Sequence, residues 1–475
     1  MFQWRVLIGD YTGGLGLALA HPLYIAGGRA LMAISEQHLP WLLNCLSGLG
    51  MAVALANLAA LVSLLTGRRW IGLATAAMLA VTHTAWWLST IAEVYTWSVA
   101  GLTCEIWLLA ALVRRPRWQT LAALAFVSGV GLCVHNFALL PLPVYLAAAA
   151  WLILRRKLPA EALAPAAVAY LAGAALYVGM TARLAAENYD VIGAIRSALV
   201  GEYGQQVANV AGASKHLLVN AGLSAMNFVN LLLPLAVVGW FGLRRRVGGL
   251  LAASLAGVTL IHVVFFVRYP VPDQFTFILP TLVMIALAAG LGLADLADRS
   301  RRWRLAAVAA CLIAVAAQPV FFAAAPTLAR WSGAPLQRRR TLPFRDEGRY
   351  WLVPWKHNEC SAQRFAEAAL AQAAPHGLIA VDSTAVHALL LLRQGNPDWR
   401  SVTIQYHSWP LPLDREPAVI QGLLAGRPLY AISDEMLPGR PKLVKDDESQ
   451  VLYRVSWDGP PSRPAEAPDE ARQSP

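Results

Sequence analysis

The sequence predicts an α-helical polytopic membrane protein of about ten transmembrane helices, followed by a small C-terminal α/β extramembrane domain. Long apolar runs recur through the first 325 of the 475 residues. Only 14% of residues are charged, against about 25% in an ordinary soluble domain, and the mean hydropathy is +0.49. Short arginine clusters separate alternate runs, as the positive-inside rule requires of cytoplasmic turns.

Residues 1–41 read as an outer loop with one interfacial helix. Its stretch 15–34 is apolar but broken by His21-Pro22 and by Gly27-Gly28-Arg29. Pro22 suits a first helical position, so a helix lying along the interface is expected there. No cleavable signal peptide precedes Asp10, and the nine residues before it are too few for a span. The expectation is that the N-terminus is translocated unaided or that a first helix is missing upstream.

Residues 42–325 read as the transmembrane domain, with spans at 42–66, 70–89, 93–113, 118–134, 138–154, 162–181, 222–243, 247–267, 273–294 and 303–325. Each is about the length that crosses ~30 Å of hydrocarbon at ~1.5 Å per residue, with 118–134 and 138–154 at the short limit. Arg68-Arg69, Arg114-Arg115-Arg117, Arg155-Arg156-Lys157, Arg244-Arg245-Arg246 and Arg299-Arg301-Arg302-Arg304 fill every second connection and define the cytoplasmic side. Both ends of the chain then fall outside. Arg338-Arg339-Arg340 runs against that assignment, but long polar domains translocate largely regardless of charge. The net charge of +11 is accounted for by these turns, and no nucleic acid is expected as a partner. Five cysteines without a CxxC spacing indicate neither a zinc site nor a disulfide framework.

Residues 326–458 are charged and punctuated by proline. Leu378–Asp382, Val402–Tyr406, Leu429–Ile432 and Val451–Val455 read as short strands, with helices over 361–373 and 384–393. The tail 459–475, rich in Pro, Glu and Ser, reads as disordered.

With the sides assigned, Asp10, His21, Arg29, Glu93, Tyr95, His135, Asn136, Arg268, Asp273 and Gln274 all fall on the outer side. A transporter would more often place ionisable groups near the midplane. Clustering at one face points instead to a cavity open to that face. Each residue also has a plain structural reading. Asp10 could cap a helix, Glu93 could answer a helix dipole, and His135-Asn136 could close a helix. Arg29 and Arg268 could snorkel to headgroups, and Trp86, Trp87, Trp97 and Tyr95 fit an interfacial aromatic belt. His83 and His262 read as packed, hydrogen-bonded histidines.

Gly9-Asp10, His21-Pro-Leu-Tyr24 and Gly28-Arg29 resemble the N-terminal signature of bacterial relatives of the eukaryotic TMEM-type protein O-mannosyltransferase, a family of the GT-C superfamily. Asn44, Ala92-Glu-Val-Tyr-Thr96, Gly129–Asn136, Tyr269–Gln274 and Leu279-Pro280 are similar to the family in the same order. So are Arg364–Glu367 and Asp382 through Asn396-Pro-Asp398. The chain departs from the family in lacking a span before Gly9-Asp10, in reading Tyr11-Thr-Gly-Gly14 where an acidic residue is usual, and in a shortened turn at His21.

The resemblance implies a GT-C-like fold and an inverting glycosyltransferase of the bacterial inner membrane, with its C-terminal domain periplasmic. It would transfer a mannose-like sugar from a polyprenyl-phosphate donor to a hydroxyl of a protein or cell-envelope acceptor. Asp10 is the implied general base and Glu93 a second catalytic carboxylate, which makes residues 1–41 the catalytic loop. Arg29, His135 and Arg268, in falling order, are the groups expected to stabilise the departing phosphate. His21, Tyr24, Tyr95, Asn136, Asp273 and Gln274 complete the expected substrate site. No metal cage is readable, though Asp10 and Glu93 could together hold a divalent cation. The competing readings are a non-catalytic protein that binds or transports the lipid carrier, and a degenerate GT-C paralogue.

Overall fold

The computed structural model describes residues 17–36, 38–188, 190–201, 204, 214–269, 271, 273–333, 343–382, 385–406, 425–433, 442–444 and 451–456. Expectations for Asp10, for the rest of residues 1–16 and for the tail from 459 lie outside them. The chain divides into two units. One is helical, runs to Gly333 among the described residues and also takes in Trp351–His357; the other is built around the C-terminal sheet.

All ten expected spans have helical counterparts in the first unit. Helix α1, Pro22–Ile34, is too short to cross a bilayer and has proline in its first turn. Helix α2, Leu39–Thr66, ends on Gly67, whose φ of 71° would strain a residue bearing a β-carbon. Helices α3, Arg69–Ala80, and α4, His83–Ser89, are bent by 76°. Thr82 Oγ1 donates to the Leu79 carbonyl at 2.8 Å in place of a regular helix bond. Asn227 meets the exposed start of α4, accepting from the Thr84 N–H at 2.8 Å and donating to its hydroxyl at 3.0 Å. A break inside an apolar region must be satisfied in this way.

Helices α5, Tyr95–Arg114, and α6, Trp118–Val134, follow. The 3-10 turn Asn136–Leu139 leads into α7, Leu142–Leu154, and the two together make a 19-residue span. Helices α8, Leu163–Gly173, and α9, Ala175–Asn188, are bent by 70° and precede α10, Val191–Leu199. Helices α11, Ser214–Asn227, and α12, Leu232–Val247, are bent by 84°. Helix α13, Gly249–Arg268, and α14, Leu279–Ala297, the latter preceded by the 3-10 turn Gln274–Ile278, lead to α15, Arg301–Ser332. Where the sequence predicts ten spans, six helices among the described residues are long and apolar enough to cross unaided, three more are bent pairs, and α6 has only 17 residues. At the α3–α4 bend the freed groups of Thr84 are met by Asn227, distant in the sequence.

Helix α14 is the hub: 94% of its apolar window is buried inside the protein, against 22% for α15. It approaches α12 closely enough that a β-carbon on Gly292 would lie 2.0 Å from the Leu235 carbonyl oxygen, and one on Gly239 1.8 Å from that of Ala288. Small residues at crossings replace the hydrophobic drive that lipid cannot supply. Three of the arginine turns converge at one end of the bundle. Arg68 pairs with Asp298, and Arg246 reaches Asp295 at 2.6 Å and Asp298 at 2.8 Å.

In the second unit, α16, Ser361–Gln372, and α17, Val386–Gly395, accompany a five-stranded sheet of β1, Leu378–Val381, β2, Thr403–Tyr406, β3, Leu429–Ala431, β4, Lys442–Val444, and β5, Tyr453–Ser456. The strand order is β2-β1-β3-β5-β4. β1 runs parallel to β2 and β3, with Leu378 opposite Thr403 and Leu429, and β5 is antiparallel to β3 and β4. The four expected strands are present. The sequence reading missed β4, whose three residues are too few for an alternating pattern.

Candidate active site

The end of α6 shapes the site. His135 leaves the helix with extended backbone, and its Nδ1 accepts the Phe137 N–H at 3.1 Å, which puts the ring proton on Nε2. His21 stacks on it with ring centroids 5.0 Å apart and planes 16° from parallel. The Val134 carbonyl can only accept, so His21 Nδ1–H donates to it across 3.0 Å. His21 holds a φ of 41° immediately before Pro22. That left-handed backbone costs a residue with a β-carbon about 1–3 kcal/mol, so the stacking geometry is held by its surroundings. Burial pushes the His21 imidazole down to about 4, against the pull of the Val134 carbonyl. Burial and then His21 lower His135 as well. Both rings are neutral at pH 7.

Ser47, fully buried in α2, clamps the turn before α5. Its hydroxyl donates to the Glu93 carbonyl at 2.8 Å and accepts the Glu93 N–H at 2.9 Å. The Tyr24 hydroxyl meets the same Ser47 oxygen at 3.2 Å, joining α1 to α2. Burial raises the Glu93 carboxyl to about 7, and the Asp273 carboxylate adds to the rise. Tyr95, which begins α5, donates its hydroxyl to Asp273 Oδ2 across 3.4 Å.

These groups border a cavity of ≈350 Å³. Its walls are Tyr95, His135, Phe137, Phe265, Tyr269 and Phe277, with Asn136, Asp273 and aliphatic residues completing it. The rings brace one another: Phe137 lies 5.2 Å from Phe277 and Tyr269 stacks on Phe265 at 4.9 Å. Among the described residues Asp273 is the only charged lining group. The cavity lies at the start of α5 and α14 and the end of α6 and α13, so it sits at the far end of those helices from the arginine turns.

The expected site residues separate on this geometry. Tyr95, His135, Asn136 and Asp273 line the cavity; His21 and Glu93 stand directly behind Tyr95, His135 and Asp273. Tyr24 is buried beneath α1 and does not line it. Arg29 is exposed on α1, away from the lining. Arg268 is half-buried, one residue before Tyr269. Asn136 spends its amide N–H groups on the Ala198 and Leu199 carbonyls, at 2.8 and 3.1 Å, closing the end of α10. Gln274 donates to the Phe266 carbonyl at 2.7 Å and accepts from Asn220 at 2.6 Å, so its amide staples α13 to the neighbouring turn and to α11. Among the described residues no group of three His, Cys, Asp or Glu side chains gathers as a metal cage.

Two residues escaped the sequence reading. Ser47 was one serine in an apolar run. Glu105, 1% exposed and accepting the Tyr145 hydroxyl at 3.0 Å, was one acid inside another run. The aromatic-belt reading also fails for Trp87. It is 4% exposed, packed on Phe275 at 5.0 Å and on Trp351 at 5.5 Å, with the Lys356 ammonium 4.4 Å from its ring centre.

Residues 17–160 match the family model described as the protein O-mannosyl-transferase TMEM260 N-terminal domain. Among solved structures the chain is similar to ArnT from Cupriavidus metallidurans bound to undecaprenyl phosphate. The identity is 17% and the TM-score 0.55, covering 95% of this chain and 91% of that one. At that identity the likeness is one of fold. No curated protein matches the sequence. The chain is therefore a multi-pass membrane protein that shares the fold of ArnT, and its residues 17–160 are similar to the TMEM260-type protein O-mannosyl-transferase N-terminal domain.

Proposed function

We propose that the chain is an inverting glycosyltransferase that moves a mannose-like sugar from a polyprenyl-phosphate carrier to a hydroxyl of a protein or cell-envelope acceptor. It acts at the outer face of a bacterial plasma membrane, with the C-terminal unit on that side. The observation that carries this reading is the aromatic cavity placed opposite the arginine turns. Aromatic faces suit the C–H faces of a sugar ring, and Asp273, Tyr95 and His135 offer hydrogen bonds to its hydroxyls. With one carboxylate and no lysine or arginine among its described lining residues, the cavity suits the neutral glycosyl group better than the phosphate.

In this mechanism a carboxylate takes the proton of the acceptor hydroxyl as its oxygen attacks the anomeric carbon. The bond from that carbon to the phosphate oxygen breaks, and the carrier leaves as polyprenyl phosphate. Asp10 is the base that the family resemblance implies, and Glu93, raised to about 7, stands by to orient a hydroxyl or share the proton. Arg268 leads the cations proposed for the departing phosphate, since Arg29 faces outward on α1 and His135 is neutral. A divalent ion, if one takes part, would be held by Asp10 and Glu93.

The test is a reconstitution assay: purified chain in bacterial-lipid vesicles, radiolabelled polyprenyl-phosphate mannose, and a hydroxyl-bearing peptide or envelope fraction. Label transfer that falls at least ~100-fold in Asp10→Asn supports the reading, general-base catalysis being worth about 10²–10⁴. Binding of the carrier without transfer favours the second reading, a lipid-carrier binder or transporter. The buried Glu105, midway along α5, is the observation on that side.

A further inference from the structure

Behind the cavity floor lies a second, much smaller space. It is a void of ≈10 Å³ bordered by Ser98, Glu105, Phe137 and His262, among others. Phe137 is shared: it walls the cavity on one side and this void on the other. Glu105 stands about 15 Å into α5, at ~1.5 Å per residue from Tyr95. One carboxylate oxygen, Oε2, accepts the Tyr145 hydroxyl at 3.0 Å. The other, Oε1, lies on the Gly131 side, where a β-carbon on that glycine would come within 3.4 Å of it. His262, from α13, is 3% exposed, and its Nε2 has no hydrogen-bond partner among the described residues. An acid and an orphaned imidazole nitrogen thus border a space the size of one small molecule.

We propose that this void is a hydration site. One ordered water is hydrogen-bonded by the Glu105 carboxyl and His262 Nε2, with the Ser98 hydroxyl as a third partner. The size fits, since about 10–15 Å³ of such space holds one water and two to four polar partners keep it. The chemistry requires it, because a buried nitrogen left unpaired forfeits a hydrogen bond that a single water restores. The same water bridges α5 to α13 at the depth where a lone carboxylate is least tolerated. Glu105 and His262 are therefore positioning residues. They support Phe137 from below, and Phe137 holds His135 through the bond from its N–H and through ring contact at 4.2 Å.

The test uses the full chain in nanodiscs. A structure at a resolution that shows ordered solvent should place a peak about 2.7–3.2 Å from both a Glu105 oxygen and His262 Nε2. Infrared difference spectra in H₂¹⁸O should shift one internal-water band that Glu105→Leu or His262→Phe abolishes. Glu105→Gln and His262→Asn, which keep polar partners, should retain the band and wild-type melting, whereas the Leu and Phe variants melt lower. If the chain transfers sugar, the apolar variants should also raise the donor KM severalfold with kcat little changed. An empty void with the apolar variants as stable as wild type overturns the proposal. So does a peak that is a sodium ion, read by its shorter coordination distances and by melting that depends on sodium. The density, infrared and melting arms read the site whether or not the chain proves to be a transferase.

Discussion

Acidification should destabilise the helical unit through His21, and the size of the effect follows from its burial. The imidazole is 7% exposed, gives its one donor to Val134 and is stacked against a second neutral imidazole. Its folded value of about 4 lies about 2.5 units below the ordinary histidine value of 6.5, and each unit is worth about 1.36 kcal/mol. Between those values the unfolded chain carries a proton that the folded chain refuses. Stability therefore falls as pH drops from about 6.5 to about 4, by about 3 kcal/mol, and His21 contributes no further loss below. His135, lowered in the same direction, adds to the slope. Reversible SDS titration in mixed micelles, followed by tryptophan fluorescence at a series of pH values, measures it. His21→Gln should flatten the slope by about the amount assigned to His21. If the wild type and His21→Gln lose stability in parallel between pH 6.5 and pH 4, the buried neutral pair is not what the acid attacks and the reasoning fails.

Other outcomes follow from single contacts. The Tyr95–Asp273 bond is long at 3.4 Å, so a double-mutant cycle of Tyr95→Phe and Asp273→Asn should show a coupling of about 1 kcal/mol, below the ~1.5–3 usual for charged partners; strictly additive effects on donor KM would remove the pair from the site. Gly292→Ala should cost about 1–3 kcal/mol or more, because its methyl would meet the Leu235 carbonyl at 2.0 Å. Gly101→Ala, with no described residue within 4 Å of the added methyl, should gain up to about 1 kcal/mol in the same micelle titration. Gln318 is fully buried in α15, and among the described residues neither its Nε2 nor its Oε1 has a partner. Gln318→Leu should therefore stabilise by about 1–3 kcal/mol, and a loss of stability would mean that the amide has a partner in the membrane.

The spans were legible because hydrocarbon imposes a length and an apolar composition that few other constraints imitate. Their breaks were not. The α3–α4 bend depends on Asn227, 143 residues away from Thr84 in the sequence, and no local pattern announces such a partner. The arginines put alternate turns on one side, and the convergence of Arg68, Arg246 and Asp298 gathers three of those turns at one end. Of the candidate site, Tyr95, His135 and Asp273 were visible because a polar group at a span end stands out. Gln274 stood out for the same reason, although its amide is consumed by Phe266 and Asn220. Arg29 shows the converse: a guanidinium in an apolar stretch can simply face outward. Ser47 and Glu105 were overlooked because single polar residues within long apolar runs do not alter the hydropathy pattern. What distinguishes them is whom they bond, and only the fold supplies that.

The most direct measurement is single-turnover transfer of labelled mannose from polyprenyl phosphate by the purified chain in vesicles, wild type beside Asp10→Asn and Phe265→Ala. The account predicts that wild type transfers label, that Asp10→Asn binds the donor but does not transfer, and that Phe265→Ala, which removes a cavity wall, weakens binding of the mannosyl carrier while leaving sugar-free polyprenyl phosphate unaffected. Transfer unchanged in Asp10→Asn, or equal loss of both ligands in Phe265→Ala, would contradict it.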